Sequence, residues 1–299
     1  VSSLEPGQRF ESPEEVQQLL GGVDYLADHA MASTVFLADR LEKPVLVEGP
    51  AGTGKTQLAK SVAEMTGARL IRLQCYEGLD ESKTLYEWNY RKQLLRIQAG
   101  QLAGEGRSPD WSELEEDLFD EAFLLSRPLL EAIRAEDPVV LLIDEVDRVE
   151  LETEALMLEV LSEYQVSIPE LGTVRAMQIP MVFLTSNNTR ELSEALKRRC
   201  LFLHVGYPDV ERERSIVETR VPGISGELAE QIAQIMRSLR SMDLKKLPSV
   251  SETIDWAKTL MILGKESINE EDVVATLHVL LKYQSDVERA ASELTRTRR

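Results

Sequence analysis

"VLVEGPAGTGKTQLAKSVAEM", residues 45–65, decides how the rest of the chain is read. An apolar run ends in glycine, a short loop carries more glycine, and a helical pattern begins at Lys55. Gly49-Pro50-Ala51-Gly52-Thr53-Gly54-Lys55-Thr56 satisfies G-x-x-x-x-G-K-[ST] at every position, in the strand-loop-helix context that the motif needs. Glycines let a backbone curl until its N–H groups converge on an anion. The helix N-terminus behind them adds positive potential. In such a loop Lys55 reaches the β- and γ-phosphates of ATP and the Thr56 hydroxyl takes Mg²⁺. Residues 49–56, with Gln57 behind them, are the expected phosphate cradle. A glycine-rich turn without a ligand is the alternative, and it leaves the complete motif unexplained.

Four further runs share the texture of "KPVLVEG" (43–49): "ARLIRLQC" (68–75), "DPVVLLIDE" (137–145), "PMVFLTSN" (180–187) and "CLFLHVG" (200–206). Each is read as a continuous apolar run, the pattern of strands buried on both faces of a parallel sheet. Helical segments between them supply the crossovers that parallel strands require. The expected fold class is α/β, a P-loop NTPase with a parallel five-stranded sheet sandwiched by helices. Asp144 falls where an apolar strand ends, which in an open α/β sheet is the ligand crevice. A carboxylate there can hold Mg²⁺ through water. Glu145, next in line, can orient and polarise an attacking water. A strand followed by solvated acids is the competing reading; the phosphate loop upstream decides against it. Asp147 and Glu150 are read as surface acids. The run at 180–187 leads into Ser186-Asn187-Asn188. An amide there can bond both a water and a phosphate oxygen, or simply make a turn.

After "GYPD" (206–209) the pattern is helical to the end. Leu228, Ile232, Ile235, Met236 and Leu239 recur at helical spacing. Asn269 followed by Glu270, Glu271 and Asp272 reads as a helix start, with Val273, Val274, Leu277 and Leu281 as its apolar face. Residues 1–206 are therefore expected to form an α/β nucleotide-binding domain and 207–299 a smaller all-α domain. Two stretches interrupt the alternation: an acidic insertion at 104–122, and "QVSIPELGTVRAMQIP" (165–180), which reads as a hairpin.

The chain carries 52 Asp+Glu against 34 Lys+Arg, a formal net charge of −18. That argues against a broad basic surface for nucleic acid. It leaves the cations of "EALKRRC" (194–200) unexplained. Cys75 and Cys200 lie far apart and the histidines are scattered, so neither a disulfide nor a metal cluster is expected. There is no secretory signal and no long apolar run, which predicts a cytoplasmic protein without a membrane segment.

Taken in order, the phosphate loop, "LLIDE", "LTSNN", "ALKRRC" and the helical tail resemble a AAA+ ATPase. Within that superfamily the chain is most similar to the MoxR branch. The hairpin at 165–177 is similar to the pre-sensor hairpin of the clade that contains MoxR. "VSETIDWAKTL" and the acidic insertion resemble the type that serves carbon monoxide dehydrogenase-like molybdenum enzymes. The resemblance implies an AAA+ core with a helical lid, and hydrolysis of ATP to ADP and phosphate with Mg²⁺. It implies that Asn187 senses the nucleotide, with Asn188 as the fallback. It places Val23 and Tyr25, in "GGVDYLADHA" (21–30), at the adenine. It also implies a ring, usually a hexamer, in which Arg199, or else Arg198, reaches the ATP of a neighbouring subunit. The role implied is that of a chaperone or remodeller of a protein or metalloenzyme client, with a partner carrying a von Willebrand A-type domain. One departure stands out: Pro248-Ser249-Val250-Ser251-Glu252 matches a stretch where the family carries a lid arginine. The alternative is a DNA-acting AAA+ protein of clamp-loader or helicase type. The sequence carries no helix-turn-helix, zinc motif or basic aromatic stretch to support it.

Overall fold

The computed structural model describes residues 8–102 and 118–296. Strands are numbered along the chain: β1 Val45–Glu48, β2 Arg69–Gln74, β3 Tyr86–Trp88, β4 Leu124–Ser126, β5 Val139–Asp144, β6 Gln165–Ile168, β7 Gly172–Arg175, β8 Met181–Ser186 and β9 Leu201–His204. The five apolar runs form one sheet in the order β2-β5-β8-β1-β9, parallel throughout.

Only the inner strands are buried on both faces. Every residue of β5 and β8 is buried, while β2 and β9 alternate. On β2, Ile71 and Leu73 are buried but Arg69, Arg72 and Gln74 are exposed. The expectation of two-faced burial therefore fails at the two edges, where the covering helices run out and one face of the pleat opens to solvent.

Alternate residues of the inner strands feed two cores. Leu46, Leu141, Ile143 and Leu184 join one, with Leu130 and Ile133 of a helix at Pro128–Ile133 and Met157 and Val160 of another at Leu151–Glu163. Val45, Val47, Leu142 and Phe183 join the other, packed by helices at Pro13–Gly22, His29–Leu41 and Lys55–Thr66. Each fully buried Leu, Ile, Val or Phe contributes about 1.5–3 kcal/mol.

The hairpin forms as β6 and β7, antiparallel from Gln165↔Arg175 to Ile168↔Gly172. The acidic insertion falls mostly on residues 103–117, outside those described. Its flanks are anchored: β3 pairs antiparallel with β4, and Leu79, Leu85, Trp88 and Phe123 enter the first core.

Beyond β9 the described elements are helices, at Val210–Arg220, Gly226–Ser241, Val250–Ile262, Glu270–Leu280 and Gln284–Arg296. Leu228, Ile232, Met236 and Leu239 are buried in a third core of their own, with Ile235 packed against it. Asn269 and Asp272 make a reciprocal capping box. Val274, expected on the apolar face, is 39% exposed. It lies one residue, about 100°, round the helix from the buried Val273. Arg240 and Glu213 form a buried ion pair in this region, Arg240 Nε donates to Pro248 O at 2.9 Å, and Thr253 donates to Glu213 at 2.7 Å. Among the described residues no helix is long and apolar enough to cross a membrane.

Candidate nucleotide site

The loop between β1 and the helix at Lys55–Thr66 lies at the C-terminal ends of the inner strands, beside Asp144 and Asn187. Two of its glycines are required by close approach. A Cβ on Gly49 would sit 2.0 Å from the Val205 carbonyl oxygen. On Gly52, at φ +74, it would sit 2.3 Å from the Ser249 hydroxyl. Gly49→Ala is therefore expected to destabilise the fold by at least about 2 kcal/mol, read from urea unfolding, because the clash is with backbone.

Lys55 is buried and donates through Nζ to Gly49 O, Pro50 O and Asn187 Oδ1 at 2.7, 2.6 and 2.9 Å. Burial pushes its pKa down, while Asp147, Asp144 and Glu145 pull it back up. Thr56 Oγ1 donates to Asp144 Oδ1 at 2.8 Å, and Thr185 Oγ1 donates to the same oxygen at 2.6 Å. Burial of Asp144 works to raise its pKa, but the hydroxyls of Thr185 and Thr56 and the Arg72 guanidinium outweigh it and hold the carboxyl below the ordinary value. Thr53 turns its hydroxyl back onto Pro50 O.

Glu145 sits at φ 59, ψ 49, an uncommon conformation for a residue with a side chain. Its N–H donates to Thr185 Oγ1 at 2.9 Å. Its carboxylate accepts from Gln74 at 3.0 Å and Asn187 at 3.4 Å, and pairs with Arg148 at 3.0 Å. Asn187 thus lies between Lys55 and Glu145. Asn188 turns away at φ 57, with its N–H on Ser186 Oγ.

Lys55, Thr56, Asp144, Glu145, Thr185 and Asn187 line a cavity of about 560 Å³, together with Ala51, Gly52, Gly54, Gln57 and Ser251. Three of its other residues, Lys60, Arg72 and Gln74, were not marked by any motif. Arg72 and Gln74 sit two apart on the open face of β2, and Gln74 is in register with Asp144. The period of two in "RLQ" was the available signal, but only the strand order brings that edge beside β5.

Asp147 corrects the reading of a surface acid: it is 3% exposed, and one carboxylate oxygen accepts from the N–H and hydroxyl of Thr189 at 2.9 and 2.6 Å. Cys75 is buried with its thiol pushed up to about 12 by burial, so it is an inert core thiol.

The AAA domain (dynein-related subfamily) matches residues 44–200, more than half of the chain and every residue lining the cavity except Ser251. The chain belongs to this family. Its members are P-loop ATPases that use ATP with Mg²⁺. Among curated relatives, the uncharacterized proteins SAB1265c and SAUSA300_1302 of Staphylococcus aureus are 26% and 25% identical over 229 residues, 75% of this chain and 77% of each relative. A mutant RuvB of Thermotoga maritima has a similar fold, with a TM-score of 0.50 at 18% identity over 91% of this chain and 72% of that one.

In this AAA-family chain the groups that could hold a metal are the Thr56 hydroxyl and the Asp144 carboxylate, which share a 2.8 Å hydrogen bond. All are hard oxygens, which suits Mg²⁺, an ion that keeps several waters and takes one or two protein ligands. Tyr25 is buried, its ring edge close to Gly54, and burial pushes its phenol up to about 12. Val23 is half-buried at the end of the first helix. Arg212, from the first helix after β9, donates to Asp28 at 2.6 Å and Leu26 O at 3.0 Å, tying the helical region to the loop that carries both. Ser251 N–H donates to Gly52 O at 3.4 Å, and Glu252 is engaged in capping Ser249. The stretch that lacks the expected arginine therefore lies directly on the phosphate loop. Arg198 and Arg199 are exposed at the end of a short helix, Glu194–Arg199, and neither lines the cavity. Lys197, by contrast, is paired with Glu191 and Glu194.

Proposed function

We propose that this AAA-family ATPase works as a MoxR-like chaperone or remodeller, a ring whose sites are completed by an arginine from the next subunit. The observation that carries this reading is the cavity at Lys55, Asp144, Glu145 and Asn187, paired with two exposed arginines that do not reach it. In the proposed division, residues 1–206 bind the nucleotide and 207–299 act as the lid.

Within the site, the backbone of residues 49–54 and Lys55 would hold the β- and γ-phosphates, with Tyr25 and Val23 beside the base. Thr56 and Asp144 would hold the metal, which when bound neutralises charge on the phosphate oxygens. Glu145 would orient water in line with the γ-phosphorus as the bond to the β–γ bridging oxygen breaks. Asn187 contacts both Lys55 and Glu145, so it can report the phosphate to the water-orienting carboxylate. Arg199, with Arg198 beside it, would stabilise charge on a neighbour's γ-phosphate.

The acidic chain favours a protein client, metalloenzymes included, over nucleic acid, and a partner with a von Willebrand A-type domain fits the same reading. The likeness to RuvB concerns the fold alone and lends the DNA-acting alternative no weight. The test is capture: a Glu145→Gln chain loaded with ATP in its host should form a hexamer-sized ring, by light scattering, that holds a protein which stimulates the wild-type ATPase several-fold. A complex that dissolves on nuclease treatment, with ATPase stimulated by DNA instead, would overturn the reading.

A further inference from the structure

Arg72 lies outside every nucleotide-binding motif of the chain, yet it touches Asp144, a buried acid of the site. Its Nε and Nη2 donate to Asp144 Oδ2 at 3.1 and 2.5 Å, and Nη2 also meets Gln74 Oε1. The Asp144 side chain is 4% exposed and that of Arg72 is 45% exposed. The guanidinium thus reaches from the open sheet edge into the cavity, which it lines along with Lys55 and Lys60. The two oxygens of Asp144 are divided: Oδ1 takes the hydroxyls of Thr56 and Thr185, and Oδ2 takes Arg72.

Two consequences follow from charge. A fixed cation on the cavity wall attracts phosphate oxygens whether or not metal is present. The same cation shares the carboxylate proposed to hold the metal, and like charges at one carboxylate oppose each other. We infer that Arg72 is a phosphate-facing residue that competes with the divalent cation for Asp144, and so sets how strongly nucleotide binding depends on metal. This rests on the reading of Asp144 as the metal-holding acid.

The test is calorimetric titration of ATP into the Glu145→Gln chain carrying Arg72, Arg72→Met or Arg72→Lys, in EDTA and in saturating Mg²⁺. In EDTA, Arg72→Met should bind ATP about tenfold more weakly, the effect of losing one close charge, and Arg72→Lys should recover part of it. In Mg²⁺ the deficit should shrink to about twofold, and half-maximal tightening should need less Mg²⁺ than with Arg72 present. An equal loss in both conditions would make Arg72 a merely structural residue, and no loss in EDTA would remove it from phosphate binding; either overturns the inference. Asp144→Asn separates the two levels. If it leaves the Mg²⁺ dependence intact, the reading of Asp144 fails. If it abolishes that dependence while Arg72→Met changes nothing, only the inference about Arg72 fails.

Discussion

Glu145→Gln is expected to bind ATP with near-normal affinity and to hydrolyse it at least about a hundredfold more slowly, the range for losing a positioned base. The phosphate loop would be untouched, because Glu145 makes no bond to residues 49–56; its partners are Gln74, Asn187, Arg148 and Thr185. A glutamine keeps the shape and one acceptor oxygen, enough for one of the two bonds from Gln74 and Asn187, but it cannot take a proton from water. Single-turnover hydrolysis beside equilibrium binding separates the two effects. Turnover at the wild-type rate would remove Glu145 from the reaction.

Arg199→Ala should cost about a thousandfold in hydrolysis or more, the scale of an arginine acting on the transferred phosphoryl group, while a single subunit still binds ATP. The structure places this side chain where its loss should disturb little else. Arg199 is exposed, and no ion pair joins it to another described residue. Its other role, a cation at a helix C-terminus, is worth only ~0.3–1 kcal/mol. Stability of the variant, by thermal melt, should therefore stay close to that of the parent while hydrolysis collapses. Should Arg198→Ala collapse instead, the finger is its neighbour.

What could be read from the sequence was what is local in it. The phosphate loop is one contiguous stretch whose glycines answer to backbone geometry, and Asp144 and Glu145 sit where an unbroken apolar run stops. The turn at Pro169–Gly172 carries its own punctuation, and Asn269 its own cap. What escaped depends on which strands become neighbours. Arg72 looked like one cation in an apolar run until β2 became the sheet edge beside β5. Asp147 looked like one more acid in an acidic chain until Thr189 folded over it. Ser251 gained meaning only when the helix at Val250–Ile262 was laid against Gly52. Each is a contact between residues at least 40 apart in sequence, and spacing along the chain does not encode it.

The most direct test of a site shared between subunits is complementation in mixed rings. On the proposed reading, chains carrying Lys55→Ala keep Arg199 but should not hold phosphate, and chains carrying Arg199→Ala should hold phosphate but lack the finger. Each alone should be inactive. Mixed and allowed to exchange subunits, they should recover phosphate release that peaks at an intermediate ratio, because some Arg199→Ala sites then adjoin an intact arginine. Phosphate release that stays at background at every ratio, in rings shown to have exchanged subunits, would contradict the account.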